Sequence, residues 1–236
     1  MNLLGNYKSV ATYKTEGIIL KKQKIQEADY IITIFSKHYG KIRAVAKGAR
    51  RIISRKSGSL ELLNWCSFFL AEGRNLDLIS EVELKKTFQS LKEDLHKSIY
   101  SFQVLEIVDR LTVSENNPRI FKLLTEVLTL MDFWKKDNWE KINLLIGSFN
   151  IKLLHVLGFW DEREITKLYK LSVDDERRLK ILRVLPLSNI QKIATEDVIS
   201  SRIKDIIDKY TADVLESQIR SIKLIKDVDE MRNYDD

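Results

Sequence analysis

The hydrophobic period of this chain changes once, near Lys85, and that change divides what it can fold into. Up to that point apolar residues alternate in short runs, and afterwards they recur every three or four positions. Glu16 to Lys22, Ala28 to Ser36, Lys41 to Lys47, Leu62 to Glu72 and Leu76 to Glu83 read as strands, rich in Ile, Val, Phe and Tyr. Six of the eight glycines lie at or before Gly73 and neither proline does, so tight turns are concentrated in the strand-rich part. Five short strands within about eighty residues, followed by helices, fit a small closed barrel of the OB type. An open sheet with an exposed edge is the alternative topology.

Beyond Lys85 the stripes are helical. Leu91, Leu95, Ile99, Phe102, Leu105 and Val108 form one, and Ile120, Leu123, Leu124, Val127, Leu128, Met131 and Trp134 form a second, opened by Asn117 and Pro118. A third runs Trp139, Ile142, Leu145, Ile146, Phe149, Leu153 and Val156, with Gly158 just past its end as a C-cap glycine. Ser172 opens a shorter helix that Pro186 stops, and Thr195 caps a last amphipathic stretch through Ile199, Ile203, Ile206, Tyr210, Val214 and Ile222. The expected fold class is therefore α+β: an N-terminal five-stranded OB-fold barrel in residues 1–84, with 1–13 as an extension, then an all-α helical domain in residues 85–236.

Charge separates the two parts as well. The first eighty residues hold 14 basic and 6 acidic side chains, whereas the remainder holds 26 and 28, so the excess positive charge belongs to one end of the molecule. It is densest from Lys37 to Lys56, where eight lysines and arginines occur and no carboxylate interrupts the sequence from Tyr30 to Leu60. Lys41, Arg43, Lys47, Arg50, Arg51, Arg55 and Lys56 are the candidate phosphate contacts, with small Gly48 and Ala49 expected to let a mobile loop approach the backbone of a nucleic acid. Tyr39, in the turn beside Lys37, His38 and Lys41, is the candidate base-stacking ring, and alternation points Phe35 inward. By charge alone a nucleic acid, an acidic protein and an anionic membrane are all acceptable partners for such a patch.

Enzyme signatures are thin. His38, His96 and His155 are isolated, there is no HExxH spacing, and neither a GxxxxGK[ST] nor a GxGxxG cradle for phosphates occurs. The acidic runs Asp161-Glu162 and Asp174-Asp175-Glu176 sit at expected helix starts, where carboxylates oppose the helix dipole. The single Cys66 precludes an intramolecular disulfide and a multi-cysteine zinc site, and its neighbours Trp65 and Phe68 suggest a buried, inert thiol. No apolar run approaches the roughly 18 to 20 residues of a membrane span, and a signal peptide is not evident, so a cytoplasmic protein without membrane attachment is expected.

Several segments in fixed order resemble one family: Glu16-Gly17-Ile18-Ile19-Leu20, Glu27 to Ser36, Tyr39-Gly40-Lys41, and Ala44-Val45-Ala46-Lys47-Gly48-Ala49-Arg50-Arg51. Together they are similar to the amino-terminal domain of RecO, the bacterial DNA repair and recombination mediator family. The resemblance continues through Phe68 to Glu83, Leu153 to Phe159, and Arg220-Ser221-Ile222-Lys223. It implies an OB fold followed by helices, no catalytic residues, and binding to single- and double-stranded DNA. It further implies annealing of complementary strands, engagement of the C-terminal tail of single-stranded DNA-binding protein (SSB), and cooperation with RecR in loading the recombinase RecA. The second reading is a non-catalytic scaffold whose basic patch binds an acidic protein partner such as RecR rather than DNA. Many members carry a cysteine zinc module after the Leu-Gly-Phe-like element; Trp160 to Leu171 offers no cysteine, so no zinc and no cofactor are expected. Where the family often has a proline near Leu60 to Leu63, this chain reads Leu62-Leu63-Asn64, which should perturb only the entry to one strand.

Overall fold

The computed structural model describes residues 11–51, 57–134, 139–192 and 201–215. Arg55, Lys56, Thr195, the segment from Arg220 to Lys223 and most of the N-terminal extension lie outside them. Five strands come first: β1 (Thr12–Ile25), β2 (Asp29–Ser36), β3 (Gly40–Ala46), β4 (Trp65–Ala71) and β5 (Asp77–Lys86). They close into a barrel in the order β1-β2-β3-β5-β4. Neighbouring strands are antiparallel except β3 and β5, which run parallel. This is the OB arrangement, closed by the short pairing of Ala44 with Asp77 and Val45 with Leu78.

Alternation fills the interior. Ile34 pairs with Ile42 and Ile32 with Ala44 across β2 and β3, and these four join Ile19, Cys66, Phe68, Leu70 and Ile79 in the core. The Cys66 thiol is fully buried and donates to the Ser59 carbonyl at 3.3 Å. Phe35 departs from expectation: it pairs with Lys41, on the opposite side of β2 from Ile34, and is buried without belonging to the barrel interior.

β1 starts four residues earlier than its apolar run suggests, because Thr12 to Thr15 pair with Phe68 to Ala71. β4 starts three residues later than expected. Leu63 takes a positive φ of 71°, and the Asn64 amide donates to the Gly58 and Ser59 carbonyls at 3.2 and 2.9 Å. The Leu62-Leu63-Asn64 departure therefore makes a closed turn before the strand, with Leu63 N–H donating to Ile19 and Ile19 N–H to Asn64, both at 3.1 Å.

The helices among the described residues are α1 (Gln89–Glu93), α2 (Leu95–Leu111), α3 (Pro118–Phe133), α4 (Trp139–Val156), α5 (Glu162–Tyr169), α6 (Val173–Val184) and α7 (Ser201–Val214), with a 3₁₀ turn at Leu187–Lys192. The first expected stripe is broken in two. Asp94 is extended, at φ −102° and ψ 122°, and its side chain accepts from Lys97 N–H to cap α2. The break resets the helical phase, so Leu95 and Phe102 are exposed while Ile99, Leu105 and Val108 remain buried. α4 ends as its glycine predicts: Gly158 has φ 80°, and Phe159 N–H donates to the Leu154 carbonyl at 2.8 Å, the long bond of a Schellman stop. Where the family's zinc module would sit, α5 is capped by Asp161, which accepts from Arg163 and Glu164 N–H.

The chain divides into two compact units after Thr87, with Val113–Asn117 returning to the barrel unit. That return explains Gly40. Its φ is 63°, and an added Cβ would fall 2.2 Å from the Glu115 carbonyl oxygen, so neither backbone nor space admits a side chain. Among the described residues, no helix is long and apolar enough to cross a membrane, and no three His, Cys, Asp or Glu side chains could hold a metal ion.

Candidate nucleic-acid interface

β3 is a strand with two chemically opposed faces. Gly40, Ile42, Ala44 and Ala46 are buried, whereas Arg43 is exposed and Lys41 and Val45 are half-buried. Lys47 continues the outward series and is exposed. At about 3.3 Å per residue, Lys41 to Lys47 covers roughly 20 Å, the length of about six phosphates along one strand of a duplex. The alternation that packs the barrel therefore also sets a cationic line on its outside.

The turn that follows is anchored rather than loose over its described residues. Gly48 N–H donates to Asp29 at 2.8 Å, Arg50 N–H to the Ala28 carbonyl at 3.0 Å, and Ala49 is fully buried in the barrel core. Ala49 thus cannot offer its backbone to a phosphate as expected; it plugs the barrel. The Arg50 guanidinium donates to the Gln26 carbonyl at 2.9 Å, bracing the β1–β2 turn. A guanidinium has five N–H donors, so Arg50 retains capacity for a further acceptor. Arg51 is exposed and packs near Gly48, whose φ of 66° requires glycine.

Tyr39, Lys41 and Arg43 come together at the other end of β3. They share a cleft of about 350 Å³ with Tyr13, Asn75, Asp77 and Ser114. Tyr39 is 44% exposed, and its ring centroid lies 4.5 Å from that of Tyr13 at an interplanar angle of 48°. The Tyr13 hydroxyl donates to the Asp77 carboxylate. Burial, then that hydrogen bond and the nearby charge, push the Tyr13 phenol well above its ordinary value.

One further cation joins the line through strand pairing. Lys21 pairs with Thr33, and Thr33 pairs with Arg43, so Lys21 and Arg43 flank one row across three strands; both are exposed. Lys24, though exposed near the end of β1, pairs with Tyr30 and so lies in the row of inward-facing Ala46. Lys22 between them is engaged, 2.7 Å from Glu61 and 4.2 Å above the Tyr30 ring. Only the register of β1 on β2 connects Lys21 to the basic run, which is why local sequence did not single it out.

Comparison with known proteins decides the relationship. Residues 10–88 match the family described as Recombination protein O N terminal, and residues 92–160 match Recombination protein O C terminal. The chain belongs to the RecO family. The DNA repair protein RecO of Alkaliphilus metalliredigens is 36% identical over 146 residues, 61% of this chain and 58% of that one. That of Symbiobacterium thermophilum is 34% identical over 150 residues, 64% and 58% of the two chains. These matches span a little over half of each relative, while the RecO of a Thermoanaerobacter species aligns over 92% of this chain and 98% of its own at 27% identity. The N-terminal RecO match covers the whole barrel, and with it every described residue of the cationic line.

The helical unit holds a second candidate site. A pocket of about 650 Å³ lies between α5 and α6, with Trp160, Ile165 and Leu179 on its apolar side and Arg163, Arg177 and Lys180 among its lining. Trp160 is only 7% exposed, and its indole N–H has no acceptor among the described residues. Its ring meets the Tyr210 ring edge-on, with centroids 5.5 Å apart, and the Tyr210 hydroxyl donates to the Phe159 carbonyl at 2.6 Å.

Proposed function

We propose that this chain is a DNA-binding recombination mediator that acts in DNA repair by annealing complementary single strands, without catalysing a covalent step. The observation that carries this reading is the outward series Lys41, Arg43 and Lys47 on a strand whose alternate residues fill an OB barrel. Phosphates neutralised along that line on two strands repel each other less, so complementary bases can meet. No fuel is required, because base pairing supplies the driving force. Arg50 and Arg51 extend the line, as would Arg55 and Lys56, and Lys21 widens it across β2. Both single- and double-stranded DNA would bind, since each offers the same backbone charge.

A mediator must also meet the proteins already on the strand. The pocket between α5 and α6 combines an apolar wall with Arg163, Arg177 and Lys180, which outnumber the lining carboxylates Glu162 and Glu176, and this suits an acidic peptide ending in an apolar residue. We assign it to the C-terminal tail of SSB. RecR is the expected partner in handing the strand to RecA, and the setting is the cytoplasm, in association with the nucleoid. The competing reading keeps the basic line for an acidic surface of RecR instead of DNA.

The test is annealing of complementary oligonucleotides coated with SSB, followed by fluorescence in the absence of nucleotide. Acceleration that fades as salt is raised is the expected result. Tight RecR binding that the Arg43→Gln and Lys47→Gln changes abolish, with DNA affinity unchanged, would establish the scaffold reading in its place.

A further inference from the structure

The cationic line accounts for affinity to any nucleic acid, but the cleft at the start of β3 has a different chemistry. Tyr39 presents an exposed ring on the β2–β3 turn, and the turn holds it by its own backbone, with Tyr39 N–H donating to Ser36 Oγ at 2.9 Å. Behind it, the Tyr13 ring is fixed at the start of β1 by Asp77, sixty-four residues away. Asp77 also accepts from Gly73 N–H at 3.1 Å, so one carboxylate ties both Tyr13 and the β4–β5 loop to the same corner. Lys41 and Arg43 flank the two rings in the same cleft.

Resting on the DNA-binding reading above, we propose that Tyr39, backed by Tyr13, is a stacking platform for one unpaired base, and that it makes this end of the barrel selective for single-stranded over duplex DNA. A base in a duplex already has both faces stacked and cannot offer one to a side chain. An unpaired base can, and the exchange with an aromatic ring is largely sequence-tolerant. The adjacent cations would hold the phosphate of the same nucleotide, so the base is delivered to the ring rather than searched for. Tyr13 does not itself touch the base: it is a positioning residue, and its hydrogen bond to Asp77 holds the rear ring against which Tyr39 rests.

The experiment uses the full chain, with a single-stranded oligonucleotide and a duplex of equal length titrated by fluorescence anisotropy at several salt concentrations. Tyr39→Ala should weaken single-strand binding about tenfold, the scale of losing one base-on-ring stack, leave the salt slope unchanged, and leave duplex affinity intact. Tyr39→Phe should retain single-strand affinity. Tyr13→Phe keeps the ring but frees it from Asp77, and should cost a few-fold on single strands alone. Photocrosslinking of a bromodeoxyuridine strand to the unaltered protein should mark Tyr39, which tests the site without any substitution. Equal losses on single and double strands, an unaffected Tyr39→Ala protein, or crosslinks confined elsewhere would overturn the platform. Unaltered single-strand affinity in Tyr13→Phe would overturn the positioning role. Failure of the unmodified protein to bind either DNA would instead overturn the DNA-binding reading on which the platform rests.

Discussion

At the scale of single residues, several side chains carry duties that their neighbourhood in sequence conceals. Gly40 stands in a left-handed turn against the Glu115 carbonyl, so Gly40→Ala combines a disfavoured φ with a backbone clash. The expected loss is at least about 2 kcal/mol, read as a lower midpoint in a urea titration. Ser172 and Asp175 form a reciprocal capping box at the start of α6. The Ser172 backbone N–H, donated to Asp175 Oδ2 at 3.0 Å, holds the Asp175 carboxyl below its ordinary value of 3.8, with help from the Ser172 hydroxyl and Arg202 and Arg178, against the opposing effect of burial. A depressed folded pKa means that the unfolded chain binds more protons, so this contribution is complete above pH 3.8 and is lost as pH falls through the folded value. Ser172→Ala should cost about 1 kcal/mol near neutrality. The difference in melting temperature between an Asp175→Asn variant, which loses the ionisable group, and the unaltered chain should shrink on acidification through that window. Arg50 and Arg51, adjacent and equivalent on paper, should separate. Arg50→Gln loses the bond to Gln26 and should lower the melting temperature by a few degrees, for about 1 kcal/mol lost, whereas Arg51→Gln should leave it unchanged.

At the scale of elements, the strands were legible because each buries one face, and a period of two leaves little freedom in register. β3 shows what period two does: Ile42, Ala44 and Ala46 point inward and so turn Lys41, Arg43 and Lys47 outward, where the basic run was expected to act as a mobile loop. What stayed hidden depends on tertiary pairing or on φ. Nothing near Ala49 announces that a residue inside a basic run plugs the core. Leu91 and Leu95 extend one helical stripe smoothly, yet Asp94 between them prefers to cap a new helix than to continue the old one. Phe35 obeys alternation with respect to Ile34, but both faces of β2 are buried there, so burial did not reveal its side. Lys21 and Tyr13 joined the candidate site only through the pairing of β1 with β2 and the contact with Asp77.

At the scale of the whole molecule, charge and architecture divide in the same place. The basic excess belongs to the barrel end of the sequence, and the helical part is near neutral, with Arg163, Arg177 and Lys180 at one pocket. The barrel is not a simple N-terminal fragment, however, because Val113–Asn117 returns to it and the Val113 carbonyl accepts from Lys41 N–H at 3.3 Å. A fragment cut after Thr87 should therefore melt below the barrel of the intact chain, by calorimetry or by circular dichroism. In the proposed function the outward cations of β3 neutralise DNA phosphates. Single-strand affinity as a function of salt, for the intact protein and for the combined Lys41→Gln, Arg43→Gln, Lys47→Gln variant, puts this role to the test. With about 0.7 per phosphate contact on single strands, the slope of log affinity on log salt should fall in magnitude by about 2; a variant with the affinity and slope of the unaltered chain would contradict the account.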